Sequence, residues 1–183
     1  MNQVPQSGRP DENFLTFVDM ASERSRASLG KDGSGLATPI SLLIRRLNRR
    51  MAADSERLLP DGLSMANFRV CFTLWVAGPL EPHRVAQASL MSRAAVSAAR
   101  KMLEAHQLVT AETSAADQRS IVLSLTPKGV ALTEEIHAKN LAITEQYLAV
   151  LSPSEQHVLV GLLGKVADSS SASPSSPDDF STM

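Results

Sequence analysis

Residues 108–129 read LVTAETSAADQRSIVLSLTPKG. Leu108–Thr113 and Ile121–Leu125 are rich in β-branched and apolar side chains, and a polar stretch separates them. That pattern predicts an antiparallel two-stranded ribbon whose connection is too long for a tight hairpin turn. The connection ends in Asp117, Gln118, Arg119 and Ser120, so the ribbon is expected to project a charged tip. Thr126 then supplies a capping hydroxyl and Pro127 a first helical residue, which opens a long helix running towards Tyr147.

Working upstream, Ser92 to about Ala105 reads as an amphipathic helix. Val96, Ala99 and Leu103 fall at i, i+3 and i+7, while Arg93, Ala94, Ser97, Arg100, Lys101 and Glu104 form the other face. A short helix from about Pro82 to Ala88 precedes it, joined through Leu90-Met91. Before that, Ser64 starts a helix expected to turn Phe68, Cys71, Phe72, Trp75 and Val76 inward, and Gly78-Pro79 ends it. Helix, turn, helix, ribbon and capped helix predict a mainly α fold with a small β-ribbon, a winged helix-turn-helix. This plan inserts one helix into a DNA groove with one loop beside it.

The flanks are helical too. Thr38-Pro39 reads as a cap and first position, followed by Ile40, Leu43, Ile44, Leu47 and Met51 as an apolar stripe. Ser152-Pro153-Ser154-Glu155 is a capping box before a second stripe, Val158, Leu159, Leu162, Leu163 and Val166. These stripes exceed what one small winged-helix core can cover, so helices at about 38–58 and 127–166 are expected to dimerise. Alternatively the stripes cover each other within one subunit. Residues 1–37 are expected to form a flexible arm with a short helix near 13–22 that docks on the body or on a partner subunit, and residues 22–35 (SERSRASLGKDGSG) read as unpacked. A domain is predicted at 38–166, with its DNA-binding part at about 64–129. The Ser-, Pro- and Asp-rich residues 167–183 are expected to be a disordered tail.

The totals exclude several classes. A net charge of −1 provides no global positive field, so any nucleic-acid surface must be local. The single cysteine, Cys71, rules out an intrachain disulfide or a cysteine-rich metal cluster and fits a reducing, cytoplasmic setting. The apolar runs fall short of the roughly 20 residues of a membrane span, and Asp11-Glu12-Asn13 ahead of Phe14 is no signal peptide. His83, His106, His137 and His157 are scattered, so no metal and no cofactor is expected. No nucleophile–base or phosphate-loop pattern points to an enzyme.

Candidate DNA contacts follow from chemistry. Ala94 and Ser97 permit close approach to base edges, Ser92 sits where a helix start can hold a phosphate, and Arg93 and Arg100 can reach guanine edges or phosphates. Arg119, with Asp117 and Gln118 beside it, is placed to enter a minor groove.

Asp117, Arg119, Ser120, Leu125, Thr126 and Gly129 carry a D-x-R-S … L-T-x-x-G pattern that closely resembles the wing of MarR-type transcription regulators. The resemblance spans about residues 38–166. It implies a two-fold homodimer in which Asp117 orients Arg119. Two recognition helices about 34 Å apart would read a palindromic site on double-stranded DNA. The chain departs from the pattern where the family's Gly is Gln107 and a usual Arg is Ala111, which leaves the local backbone and one wing contact open.

The resemblance further implies a repressor of a catabolic or efflux operon, released by a small organic effector. Ser41, Arg45 and Arg49 from one helix and Phe68, Phe72 and Trp75 from the next are the candidate ligand-binding residues. Arginine with aromatic rings suits an aromatic carboxylic acid. Arg45 aligns with the first arginine of the pair found in relatives that sense phenolic acids. Equally, Arg45, Arg46, Arg49 and Arg50 read as a solvated or interface-bridging cluster, and Trp75 as core. The alternative functions are a redox-responsive regulator acting through Cys71 and a winged-helix protein-interaction module that does not bind DNA.

Overall fold

The computed structural model describes residues 14–29, 35–113 and 121–170. The chain forms two compact units, one up to His137 and one from Ala138 onward. The first contains α1 (Phe14–Leu29), α2 (Ala37–Glu56), α3 (Met65–Ala77), α4 (Pro82–Ser89), α5 (Arg93–Ala105), β1 (Val109–Thr113), β2 (Ile121–Leu125) and the start of α6 (Pro127–Leu148). The second contains the rest of α6 and α7 (Pro153–Ser170).

The core of the first unit joins α3, α4, α5 and the ribbon. Val70, Cys71, Leu74, Val85, Val96, Ala99, Leu103, Leu108, Val109 and Leu123 are buried together, with Leu63, Leu80, Met91 and Leu132 packed against them. Aliphatic side chains dominate it, and each fully buried one contributes about 1.5–3 kcal/mol of transfer free energy. Asn67 is the polar member. It completes a capping box with Ser64, whose backbone N–H donates to Asn67 Oδ1 at 2.8 Å, and its amide donates to Ala99 O at 3.4 Å across to α5.

The ribbon pairs Val109 with Leu125 through to Thr113 with Ile121, antiparallel as the alternation requires. Leu80 adds an edge: its N–H donates to Leu123 O at 3.1 Å, and Leu123 N–H donates to Leu80 O at 2.8 Å. The sequence reading missed this bridge. It ties the ribbon to the link between α3 and α4.

Several expectations are corrected. Phe68, Cys71, Phe72, Trp75 and Val76 do not share the inward face of α3; only Cys71 is buried, beside Asn67, Val70, Thr73 and Leu74, while Trp75 and Val76 are exposed. This helix is apolar on nearly every side, so periodicity does not select the face, and packing by α4, α5 and β2 does. The Ile40–Met51 stripe does not face this core either, because α2 buries no residue. Thr38 and Pro39 lie inside the first turn, since α2 starts at Ala37 after Leu36 without a side-chain cap. Proline is tolerated there because first-turn N–H groups have no helical partner.

The short helix near 13–22 runs on to Leu29, so residues 22–29 are helical rather than unpacked. Ser22 is buried and donates to Val18 O at 2.7 Å, and the helix packs on α2 of its own chain, one of the two placements expected for it. Residues 167–170 belong to α7 rather than to the tail, whose remainder lies outside the described residues.

In the second unit the predicted capping box is present. Ser152 N–H and Oγ both donate to Glu155 Oε2 at 2.8 Å. Those bonds hold the exposed Glu155 carboxyl below the usual carboxylate range. Gln156 Nε2 secures the turn by donating to Leu148 O and Leu151 O. Val158, Leu162, Leu163 and Val166 of α7 are exposed in the single chain.

Candidate functional site

The candidate recognition helix is α5. Ser92 caps it in extended conformation and accepts from Ala95 N–H at 3.1 Å. Val96, Ala99 and Leu103 anchor one side in the core, as expected, and Arg93, Ala94 and Ser97 emerge exposed on the other. Arg100 is half-buried, and its Nε donates to Glu104 Oε1 at 3.1 Å. Lys101 is exposed on the same side and was not among the candidate contacts. The solvent face thus combines two small side chains, an exposed serine-capped helix start and cations, which suits phosphate and base-edge contact.

Two turns with left-handed residues hold α5 in place. Leu90 (φ 54°) closes α4, with Met91 N–H donating to Ala86 O. Gln107 (φ 59°) closes α5, with Leu108 N–H donating to Leu103 O at 2.9 Å. This is the Schellman arrangement that normally takes glycine. Gln107 thus takes the left-handed conformation that suits the family's glycine, at the expense of local strain.

The L-T-x-x-G segment clamps the base of the wing. Thr126 N–H donates to Leu108 O at 3.0 Å. Its hydroxyl donates to Gln107 O at 2.8 Å while accepting from Gly129 N–H at 3.0 Å. Lys128 Nζ donates to His106 O at 2.9 Å. A Cβ on Gly129 would lie 2.0 Å from Leu108 O, which is why this position carries no side chain. Asp117, Gln118 and Arg119 lie outside the described residues.

The candidate effector residues fall into separate places. Arg45 and Arg49 line an open groove of about 500 Å³ with Phe14, Leu42, Arg46, Arg50 and Ala53. Ser41 lines a neighbouring concavity that shares Arg45. Phe72 and Trp75 stack with each other at 5.9 Å and make tilted contacts with His137 at 4.9 and 5.5 Å, and Trp75 Nε1 donates to Glu134 Oε1 at 3.2 Å. Phe68 sits beside Phe72 and borders a narrow crevice with Cys71 and Leu132. The described grooves hold either the arginines or an α3 ring. His137 and Glu134 were not singled out from the sequence, because only the fold brings them to the rings.

Burial pushes the Cys71 thiol up to about 11, partly offset by a hydrogen bond with Thr133. Among the described residues, no group of His, Cys, Asp and Glu is arranged to hold a metal, and no helix is long and apolar enough to cross a membrane.

No family model matches the chain. A curated relative, the uncharacterized HTH-type transcriptional regulator YwaE of Bacillus subtilis strain 168, is 31% identical over 141 residues, spanning 77% of this chain and 81% of its own. Among solved structures, BpsR of Bordetella bronchiseptica, whose DNA binding is regulated by 6-hydroxynicotinic acid, is 31% identical with a TM-score of 0.62. The match covers 70% of this chain and 98% of BpsR. A MarR family transcriptional regulator from Silicibacter pomeroyi is 25% identical with a TM-score of 0.62, covering 72% of this chain and 89% of that one.

Proposed function

The chain belongs to the MarR family of winged helix-turn-helix transcription regulators, and we propose that it is a homodimeric repressor released from a palindromic operator by a small aromatic acid. It is a regulator and not an enzyme. The observation that carries the DNA part is the face of α5. Arg93, Ala94 and Ser97 are exposed on a helix whose opposite side is locked into the core, behind a wing clamped at its base. Ser92, Arg93, Ala94, Ser97 and Arg100 make the groove contacts in this reading, with Asp117, Gln118 and Arg119 reaching from the wing. The exposed stripes on α2 and α7 support a homodimer, since a soluble chain rarely leaves so many large apolar side chains uncovered.

The effector reading draws on arginine chemistry at Arg45 and Arg49 and on the 6-hydroxynicotinic acid response of BpsR. Ser41, Phe68, Phe72 and Trp75 complete the candidate set, and a cytoplasmic protein is the natural setting. A redox role for Cys71 has little support, because a buried thiol pushed to about 11 is a poor nucleophile. The test is a gel shift on the promoter nearest the gene, with salt and effector titrations. Salt-sensitive binding that 6-hydroxynicotinate or a benzoate releases is the expected result. Absence of binding to that promoter or to any palindrome would favour the protein-interaction module.

A further inference from the structure

Arg93, Ser97, Arg100 and Glu104 fall at i, i+4, i+7 and i+11 along α5 and so share one face. Glu104 is the only acidic residue of this helix (RAAVSAARKMLEA), and ordinary helix chemistry counts against it there. It stands in the last turn, where the macrodipole disfavours a carboxylate. It follows its arginine partner by four residues, the weaker order for an i, i+4 ion pair. A carboxylate on this face also repels the phosphates of a duplex, and a partly exposed pair adds little to stability. What the residue supplies is geometry. Glu104 Oε1 accepts the Nε–H of Arg100 at 3.1 Å, and the two side chains are only 34% and 29% exposed, while Lys101 is left in solvent. Contact through Nε fixes the guanidinium plane, and the Nη groups of Arg100 have no hydrogen bond among the described residues.

We propose that Glu104 is a positioning residue for DNA reading: it holds the Arg100 guanidinium by its Nε–H and leaves the Nη edge to donate bidentately to O6 and N7 of a guanine. The inference rests on the reading of α5 as the helix that enters the groove. An unheld arginine turns to whichever phosphate is nearest and gains affinity without discrimination. One held at Nε meets a planar pair of acceptors with less freedom left to lose. The carboxylate therefore weakens attachment to DNA in general and favours attachment to the right base, which is how an unfavourable charge yields specificity.

Fluorescence anisotropy of the full-length protein tests this on two duplexes, with thermal melts as the fold control. One duplex is enriched from a random pool by the wild-type protein, and the other is a scrambled control of equal length. Glu104→Ala is expected to lower affinity for the enriched duplex by roughly tenfold without weakening the scrambled one, a split that neither simple charge removal nor a damaged helix gives. Glu104→Gln keeps an acceptor at Oε1 and should recover part of the discrimination. Arg100→Ala should cost the enriched duplex a similar factor, and the double variant no more than either alone, because the two side chains act as one unit. Undiminished discrimination in Glu104→Ala, whether both affinities rise, fall or stay together, would overturn the proposal; a loss in Arg100→Ala alone would then leave Arg100 as a contact. Unchanged affinity in Arg100→Ala removes that contact and the proposal with it, while Arg93→Glu still tests α5 as the recognition helix. Failure to enrich any sequence would overturn both.

Discussion

Gln107 and Gly129, linked through the Thr126 hydroxyl at the wing base, illustrate opposite uses of backbone freedom. For a residue with a Cβ, the left-handed conformation costs roughly 1–2 kcal/mol, whereas glycine adds about 0.5–1 kcal/mol of unfolded-state entropy. At φ 59° with an exposed side chain, Gln107→Gly is therefore expected to stabilise the protein by about 0.5 kcal/mol in calorimetric unfolding. Gly129→Ala should do the reverse, by on the order of 3 kcal/mol, because the new methyl meets a backbone oxygen that cannot move aside. Cys71 is a third residue-scale case. Its thiol titrates near 9.0 when unfolded but is pushed up to about 11 by burial. Above pH 9 the unfolded chain thus releases a proton that the folded chain keeps. Stability is expected to be unaffected by this group below pH 9 and to fall as pH rises towards 11, as urea midpoints would reveal. Thiol labelling at pH 8 should be slow until the protein is denatured.

At the scale of elements, α5 combines a structural face with the opposite face proposed to read DNA. Charge reversal of the exposed Arg93, Arg93→Glu, is expected to abolish operator binding with an unchanged melting temperature, read by gel shift and thermal melt. Much of this helix was legible: its buried triad, its Ser92 cap and its polar face follow from spacing alone. The wing strands and the capping box at Ser152–Glu155 were legible for the same reason, since local chemistry fixes them. The inward face of α3 was not, because a helix apolar on most sides carries no directional signal. Nor was the Leu80–Leu123 bridge, whose partners are brought together only by the fold. Asn67 shows the same limit: it completes the capping box with Ser64 and also links α3 to α5 through Ala99 O. Of the candidate site, the exposed face of α5 was legible from spacing, Asp117, Gln118 and Arg119 lie outside the described residues, and which rings lie near which arginines is fixed only by the fold.

For the whole molecule, the deciding question is what covers the two long stripes. Ile40, Leu43, Ile44 and Leu47 on α2 are exposed, and so are Val158, Leu162, Leu163 and Val166 on α7. These residues lie in different compact units of the chain, and each stripe leaves substantial apolar area in water. At about 25 cal/mol per Å², covering such stripes with a second copy would offset the entropy lost on association. A charge placed in a stripe should therefore dissociate the proposed dimer without touching the core, which belongs to α3, α4, α5 and the ribbon. Leu162→Asp is expected to convert the protein to a monomer in sedimentation velocity with its α5 face intact. Operator affinity should then fall by on the order of a hundredfold or more, since a lone half-site contact loses the effective concentration supplied by the linked partner. A variant that stays dimeric with undiminished DNA affinity would show that α7 covers nothing essential, and the palindromic reading would lose its physical basis.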